Sequence, residues 1–259
     1  MVDELIEIQE VRKKYGKHES LRGLTFSIGR GEVFGLIGPN GAGKSTLLSI
    51  MATILQPTSG SILVDGKNVR KQAKDIRKQL GYVPQDLALW PELTVAENMK
   101  FWSKLTNPKA KKSYLLALCE QVGLKDRWRH KVSTLSGGMK RKLNIAVSLI
   151  HEPDVLIMDE PTVGIDIQSK REINRYIQSL AAQGKTIVYT THDAGEILRM
   201  CNRIGILNQG ELKFIGTIDE AMQRADHAMS LEDVLCTIGE WESKPVGKGK
   251  RKEEAAHAY

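Results

Sequence analysis

The residues Gly38-Pro39-Asn40-Gly41-Ala42-Gly43-Lys44-Ser45 fit the pattern G-x-x-x-x-G-K-[ST], and Thr46 follows them. Glycines at this spacing let successive backbone N–H groups close around a polyphosphate, and a helix starting at the end of the run adds its positive N-terminal dipole. Lys44 can then reach the β- and γ-phosphates, and the Ser45 hydroxyl can ligate Mg²⁺. The bland alternative is a glycine turn between two elements. A strand before the run and a helix after it decide for phosphate binding, which makes ATP and Mg²⁺ the expected ligands.

Two acids, Asp159 and Glu160, end a second apolar stretch. Asp159 is suited to hold Mg²⁺ through its water shell, and Glu160 to accept a proton from, or orient, the water that attacks a γ-phosphate. Without the glycine run the same pair would read as a helix cap. His192 ends another apolar stretch and can hydrogen-bond the γ-phosphate. Gln85, after Leu80 to Val83, can offer its carbonyl oxygen to Mg²⁺ or to the attacking water. In Leu135-Ser136-Gly137-Gly138-Met139, Ser136 reads as an N-cap, and Gly137 and Gly138 leave the first N–H groups of the next helix open to an anion. An ordinary capped helix would look the same.

These groups need a scaffold that brings strand ends together. Val33 to Ile37, Val155 to Met158, Thr186 to Thr190 and Ile204 to Leu207 are nearly all apolar and alternate with helical stretches. That pattern predicts an α/β core with a mostly parallel sheet covered on both faces. Leu5 to Ile8 and Leu24 to Ile28 alternate instead, predicting a small N-terminal antiparallel layer. Between Trp90 and His151 the pattern is helical, opening on the capping box Thr94-Val95-Ala96-Glu97, so a helical subdomain is expected over about 90–150. Capped helices are expected from Thr217 and from Ser230, ahead of a basic, aperiodic run at 244–252 that reads as a disordered tail.

In this order, glycine loop, Gln85, Leu135 to Met139, Asp159-Glu160, Gly164-Ile165-Asp166 and His192 resemble the ATP-binding subunits of ABC transporters, over Leu5 to Gly216. The resemblance implies a P-loop NTPase core as an ATPase domain over 1–220, with a C-terminal extension over 221–259. It implies that Leu135 to Met139 is the signature sequence, through which Ser136, Gly137 and Gly138 complete the site of a second subunit in a head-to-tail dimer. It also implies that Tyr15 stacks on adenine and that Asp166 lies in the loop communicating between the two sites. Tyr82 to Asp86, Leu93 to Asn98 and Ser230 to Val234 are similar to the ABC-2 type exporters of drugs or polysaccharides, although the sequence beyond Val234 departs from that pattern.

Composition bounds the rest. The chain has 259 residues, 41% hydrophobic and 27% charged, which suits a globular protein. No stretch approaches the roughly 18 uninterrupted apolar residues of a membrane helix, and nothing at the N-terminus marks secretion. The expected place is therefore the cytoplasm, peripheral on the inner face of the cell membrane, with membrane contact mainly through a separate integral membrane transport subunit. Cys119, Cys201 and Cys236 are scattered without metal-ligand spacing and read as reduced and structural. The formal charge of +7 keeps a relative acting on nucleic acid or ribosomes in play. One phosphate loop, and no second cassette or heptad insertion, counts against it, so no nucleic acid is expected. A third class is a regulatory ATP sensor that does not hydrolyse. Between Gln85 and Leu93 the chain is unusually apolar for a connection, and Leu89, Trp90, Met99, Phe101 and Trp102 are expected to line a groove for a helix of the membrane partner.

Overall fold

The computed structural model describes residues 3–191, 193–224 and 231–239. The expectations placed on His192, on Ser230 as a cap and on the run 244–252 fall outside the described residues.

The N-terminal layer is a hairpin that grows into a sheet. β1 (Glu4–Tyr15) and β2 (His18–Gly29) bury alternate residues and pair antiparallel as far as Tyr15 opposite His18. Gly16 closes the two-residue turn between them at φ +58, a conformation glycine adopts without a Cβ penalty. β4 (Ser59–Val64) pairs with β1, and β5 (Lys67–Asn68) with β4, giving the order β2-β1-β4-β5. The expected small antiparallel layer is therefore present, with longer strands than the alternation indicated.

The second sheet carries the core. Its order is β10-β9-β3-β8-β7-β6, with β3 (Val33–Ile37), β6 (Leu80–Val83), β7 (Val155–Asp159), β8 (Thr186–Thr190) and β9 (Arg203–Asn208) parallel, and β10 (Glu211–Thr217) antiparallel at one edge. Every residue of β3, β7 and β8 is buried, which explains why their sequences are nearly all apolar. Parallel strands point their carboxyl ends the same way, so the residues after β3, β6, β7 and β8 meet along one edge.

Helices cover both faces. α1 (Lys44–Met51) and α2 (Ala73–Gln79) pack beneath the antiparallel layer, where Leu47, Leu48 and Ile76 join Ile6, Leu24 and Ile157 in one core. Between β6 and β7 come α3 (Val95–Thr106), α4 (Lys112–Gln121) and α5 (Gly137–Ser148), with the bridge between Thr94 and Lys131 as the isolated β feature among the described residues. The capping box at Thr94 and Glu97 is formed as its sequence indicated. Leu143 and Ile145 of α5 share a core with Val95 and Met99 of α3 and with Leu156 and Met158 of β7, so α5 joins the helical part to the sheet. α6 (Ile167–Ala182) and α7 (Ala194–Met200) follow β7 and β8, and α8 (Ile218–Gln223) and α9 (Leu231–Gly239) pack beside β9 and β10.

The segment after Gln85 is pinned by a fully buried amide. Asn98 accepts the Trp90 backbone N–H at 2.8 Å and donates to the carbonyls of Trp90 at 3.0 Å and Thr94 at 3.1 Å. Asn98→Ala is expected to leave these groups unpaired, costing about 1–3 kcal/mol in urea unfolding and accelerating hydrogen exchange at the Trp90 amide. Unchanged exchange at that amide would contradict the pinning role.

Candidate functional site

A cavity of about 910 Å³ opens at the carboxyl edge of the parallel sheet, lined by the loop after β3, the hairpin tip and the ends of β6 and β7. The chain between β3 and α1 can follow its tight path because two positions lack a side chain. A Cβ on Gly38 would lie 2.1 Å from the Leu207 carbonyl oxygen. One on Gly43, which caps α1 at φ +107, would lie 2.7 Å from the Ser20 carbonyl oxygen. The loop is thus pressed between β9 and β2, and it lines the cavity together with the start of α1.

Lys44, the first residue of α1, is only 6% exposed, and its ammonium donates to the carbonyls of Gly38 at 2.7 Å and Pro39 at 3.1 Å. Burial lowers its pKa, and the nearby carboxylates of Glu160 and Asp159 partly offset that. A buried ammonium satisfied by its own loop is a ready counter-charge for phosphate oxygens. The hydroxyl of Ser20 donates to that of Thr46 at 3.1 Å, fixing α1 to β2.

The acids are held by the neighbouring strand. Asp159, 3% exposed, accepts the Thr190 hydroxyl at 2.8 Å, and the Glu160 backbone N–H donates to the same oxygen at 2.8 Å. Glu160 is 8% exposed and has φ +46, a left-handed conformation that costs a non-glycine residue about 1–3 kcal/mol. Such strain persists only where the surroundings impose it, and here it turns the carboxylate into the cavity.

Of the residues singled out from sequence, Tyr15, Gly38, Pro39, Asn40, Gly41, Gly43, Lys44, Ser45, Thr46, Gln85 and Glu160 all line this cavity. Ala42 is buried within the loop, and Asp159 lies at the end of β7 beneath it. Tyr15 is 48% exposed at the hairpin tip, with the Lys13 ammonium 5.0 Å from its ring centre. Ser136, Gly137, Gly138 and Asp166 are grouped elsewhere. Ser136 caps α5 by accepting the Met139 N–H at 3.3 Å, and Asp166 caps α6 by accepting the Ser169 N–H at 2.9 Å. A Cβ on Gly138 would meet Ser169 Oγ at 2.1 Å, so the two capped helix starts touch each other and not the cavity.

The oxygen donors suit Mg²⁺, a hard cation. Ser45 and Gln85 line the cavity, and the Asp159 carboxylate, at the end of β7, is near enough to act on the Lys44 charge. No group of three or more His, Cys, Asp or Glu side chains among the described residues can hold a metal on its own. A cation here would share its coordination with phosphate oxygens and water, which is the usual habit of Mg²⁺.

Sequence reasoning missed part of the wall. His18 and Ser20 follow the hairpin turn, Val163 and Ala194 follow the ends of β7 and β8, and Leu235 and Cys236 come from α9. The His18 position was in principle legible from the Tyr15-Gly16-Lys17-His18 turn, whereas the return of α9 depends on long-range packing that leaves no local signal.

Comparison with known proteins follows the same residues. The sequence profile of the family described as ABC transporter matches residues 21–163. The linearmycin resistance ATP-binding protein LnrL of Bacillus subtilis is 44% identical over 223 residues, covering 85% of this chain and 71% of that protein. A Nod factor export ATP-binding protein I of Burkholderia orbicola is 37% identical over 235 residues, covering 90% of this chain and 75% of the relative. Among solved structures, a dimeric ATP-binding cassette in a post-hydrolysis state with ADP and Pi superposes with a TM-score of 0.75 at 28% identity, covering 82% of this chain and 98% of that one.

Gly38→Ala is expected to weaken nucleotide binding at least tenfold, because moving the loop off the Leu207 carbonyl displaces Lys44 as well. Titration with a fluorescent ATP analogue checks this, and wild-type affinity would show that the close approach is dispensable.

Proposed function

We take as premise that the chain belongs to the ABC transporter family as an ATP-binding and ATP-hydrolysing subunit, and we propose that two copies close head to tail around ATP to drive a separate membrane-spanning exporter. The observation that carries this reading is the strained, buried Glu160 facing the same cavity as Lys44 and the glycine loop.

In this reading Tyr15 stacks on the adenine, while the N–H groups from Gly38 to Thr46 and the Lys44 ammonium hold the phosphates. Ser45, Gln85 and Asp159 would hold Mg²⁺, which when bound neutralises charge on the β- and γ-phosphate oxygens. Glu160 orients a water on the far side of the γ-phosphorus and draws its proton as the new P–O bond forms. The bond to the ADP oxygen breaks in the same displacement, releasing ADP and phosphate. His192 is assigned to hold the γ-phosphate and the water in line.

The second copy supplies what one chain does not. Ser136, Gly137 and Gly138 present the start of α5 to an anion, and in the closed dimer that anion is the γ-phosphate bound by the other copy. Asp166, touching the same helix start, lies where it can report the state of one site to the other. ATP therefore bridges the copies and hydrolysis removes the bridge, so closing and opening follow the nucleotide.

Among the described residues no helix is long and apolar enough to cross a membrane, and in this reading the partner supplies the passage while this subunit sits on the cytoplasmic face. Trp90 is 53% exposed and meets Phe101, itself 37% exposed, edge to face at 5.8 Å. Leu105, one helical turn on from Phe101 in α3, is also exposed, and this apolar pair of rings with its neighbouring leucine suits an amphipathic helix of the partner. Three residues expected in that groove serve otherwise, Leu89 among them, half-buried against the core to which Met99 belongs. Met99 is fully buried because it faces the lobe core, and Trp102 is half-buried, donating to the Ala88 carbonyl at 3.1 Å. The export direction is supported by the relatives named for resistance and for export.

Two outcomes test the proposal. Glu160→Gln should lower steady-state ATP hydrolysis by ~100-fold or more while an ATP-bound dimer accumulates on size-exclusion chromatography; near wild-type turnover would remove Glu160 from the mechanism. Trp90→Ala should leave hydrolysis by the isolated subunit within about twofold yet cut ATP-driven transport in the reconstituted complex; intact transport would rule out this docking patch.

A further inference from the structure

Outside the wall of the cavity, one carboxylate gathers five donors from three separate elements. Glu196 of α7 is fully buried. Its Oε2 accepts hydroxyl protons from Thr162 at 3.0 Å, Tyr189 at 2.8 Å and Thr191 at 2.7 Å. Its Oε1 accepts from the Asn174 amide at 3.1 Å and pairs with the Lys170 ammonium at 3.1 Å. Lys170 also reaches Asp193, the N-cap of α7. Burial alone would raise the Glu196 pKa, but the hydrogen bonds from Thr191, Tyr189, Asn174 and Thr162 together outweigh it and hold the group below its usual range.

The identity of the donors matters more than their number. Thr162 stands two residues after Glu160, and Thr191 immediately precedes His192. Lys170 and Asn174 belong to α6, whose cap is Asp166. The three chain segments assigned to water activation, γ-phosphate contact and communication between copies are therefore tied to one oxygen pair. A cluster needed only for stability has no reason to select those three attachment points.

We propose that Glu196 is a positioning residue for ATP hydrolysis: it locks the segment after Glu160, the segment before His192 and α6 into one rigid unit, without touching nucleotide itself. The inference rests on the functional reading above and adds to it a residue that acts through others. Only Pro161 separates Glu160 from the anchored Thr162, a reach of at most about 7 Å, so movement at the anchor is passed on to the carboxylate. Misplacement by about 1 Å at a reacting centre can cost 10²-fold in rate.

Glu196→Gln separates positioning from bulk. The amide is isosteric with the carboxylate but has one acceptor oxygen in place of two. Whichever way it turns, its NH₂ faces either the Asn174 and Lys170 donors or the three hydroxyls, which must then all reverse.

The experiment is single-turnover hydrolysis by the full chain, with ATP affinity and thermal melting measured on the same preparations. We expect Glu196→Gln to slow hydrolysis by about 10- to 100-fold with ATP affinity within about threefold of wild type. Thr162→Val and Thr191→Val remove one hydroxyl each and should slow hydrolysis by less. The double variant Thr162→Val/Glu196→Gln should be no slower than Glu196→Gln alone, because both act through the same contact. Multiplying effects in that double variant, a rate near wild type, or loss of rate matched by equal loss of affinity would each overturn the proposal. If Glu196→Gln fails to fold, the two valine variants carry the test alone, with unchanged rates overturning it. A wild-type chain that hydrolyses ATP beside a normal Glu196→Gln sinks only this inference, whereas a wild type that never hydrolyses sinks the functional reading with it.

Discussion

Everything at the cavity depends on keeping three charged groups together in a region that water barely reaches. Lys44, Asp159 and Glu160 are each less than a tenth exposed. An isolated buried charge is severely penalised, so each must be compensated by neighbours. Lys44 has two loop carbonyls, Asp159 has the Thr190 hydroxyl, and Glu160 lies close enough to Lys44 for their charges to interact. The two carboxylates also favour the charged form of Lys44 against its burial. Charges fixed by such neighbours before a ligand arrives are what electrostatic catalysis requires of a site.

That concentration of charge is possible only at the edge of a parallel sheet. The strands beneath are mostly apolar because helices and the antiparallel layer cover both faces, and polar residues gather at and just beyond the carboxyl ends of β6, β7 and β8. Gly38 fits against β9 because of its missing side chain, and Tyr15 reaches the cavity because the hairpin turns in two residues. Each functional group is carried by a terminus whose position the core dictates. The sheet supplies precision that a loop alone would lack.

How much of this was legible follows from the range of the interactions. The glycine loop, the apolar strands and the caps at Thr94, Ser136 and Thr217 are local patterns, and the fold carries all of them. β4, β5 and β10 were not anticipated, since few of their residues are fully buried and the alternation that marks a strand is blurred. Met99 was placed on the wrong side of α3, because helical spacing identifies an apolar face without saying whether it meets the core or a partner. The wall contributed by α9 and the convergence on Glu196 were invisible for a deeper reason. They join residues far apart in sequence through contacts that leave no periodic trace.

In the proposed dimer the two helix starts play different parts: α1 opens onto the cavity of its own chain, whereas the α5 start lies beside that of α6 and lines no part of that cavity. Arg141 of α5 donates to the carbonyls of Pro84 at 2.9 Å and Gln85 at 2.7 Å, so the loop carrying Gln85 travels with α5. In the proposed dimer, a phosphate drawn to α5 of one copy would thus be felt by the Gln85 loop of that same copy, at its own cavity. The Asn98 contacts hold Trp90 to α3 in the same helical part. A change at the nucleotide would then reach the exposed aromatic patch through a few packed, hydrogen-bonded elements, with no need for a flexible linker between site and partner.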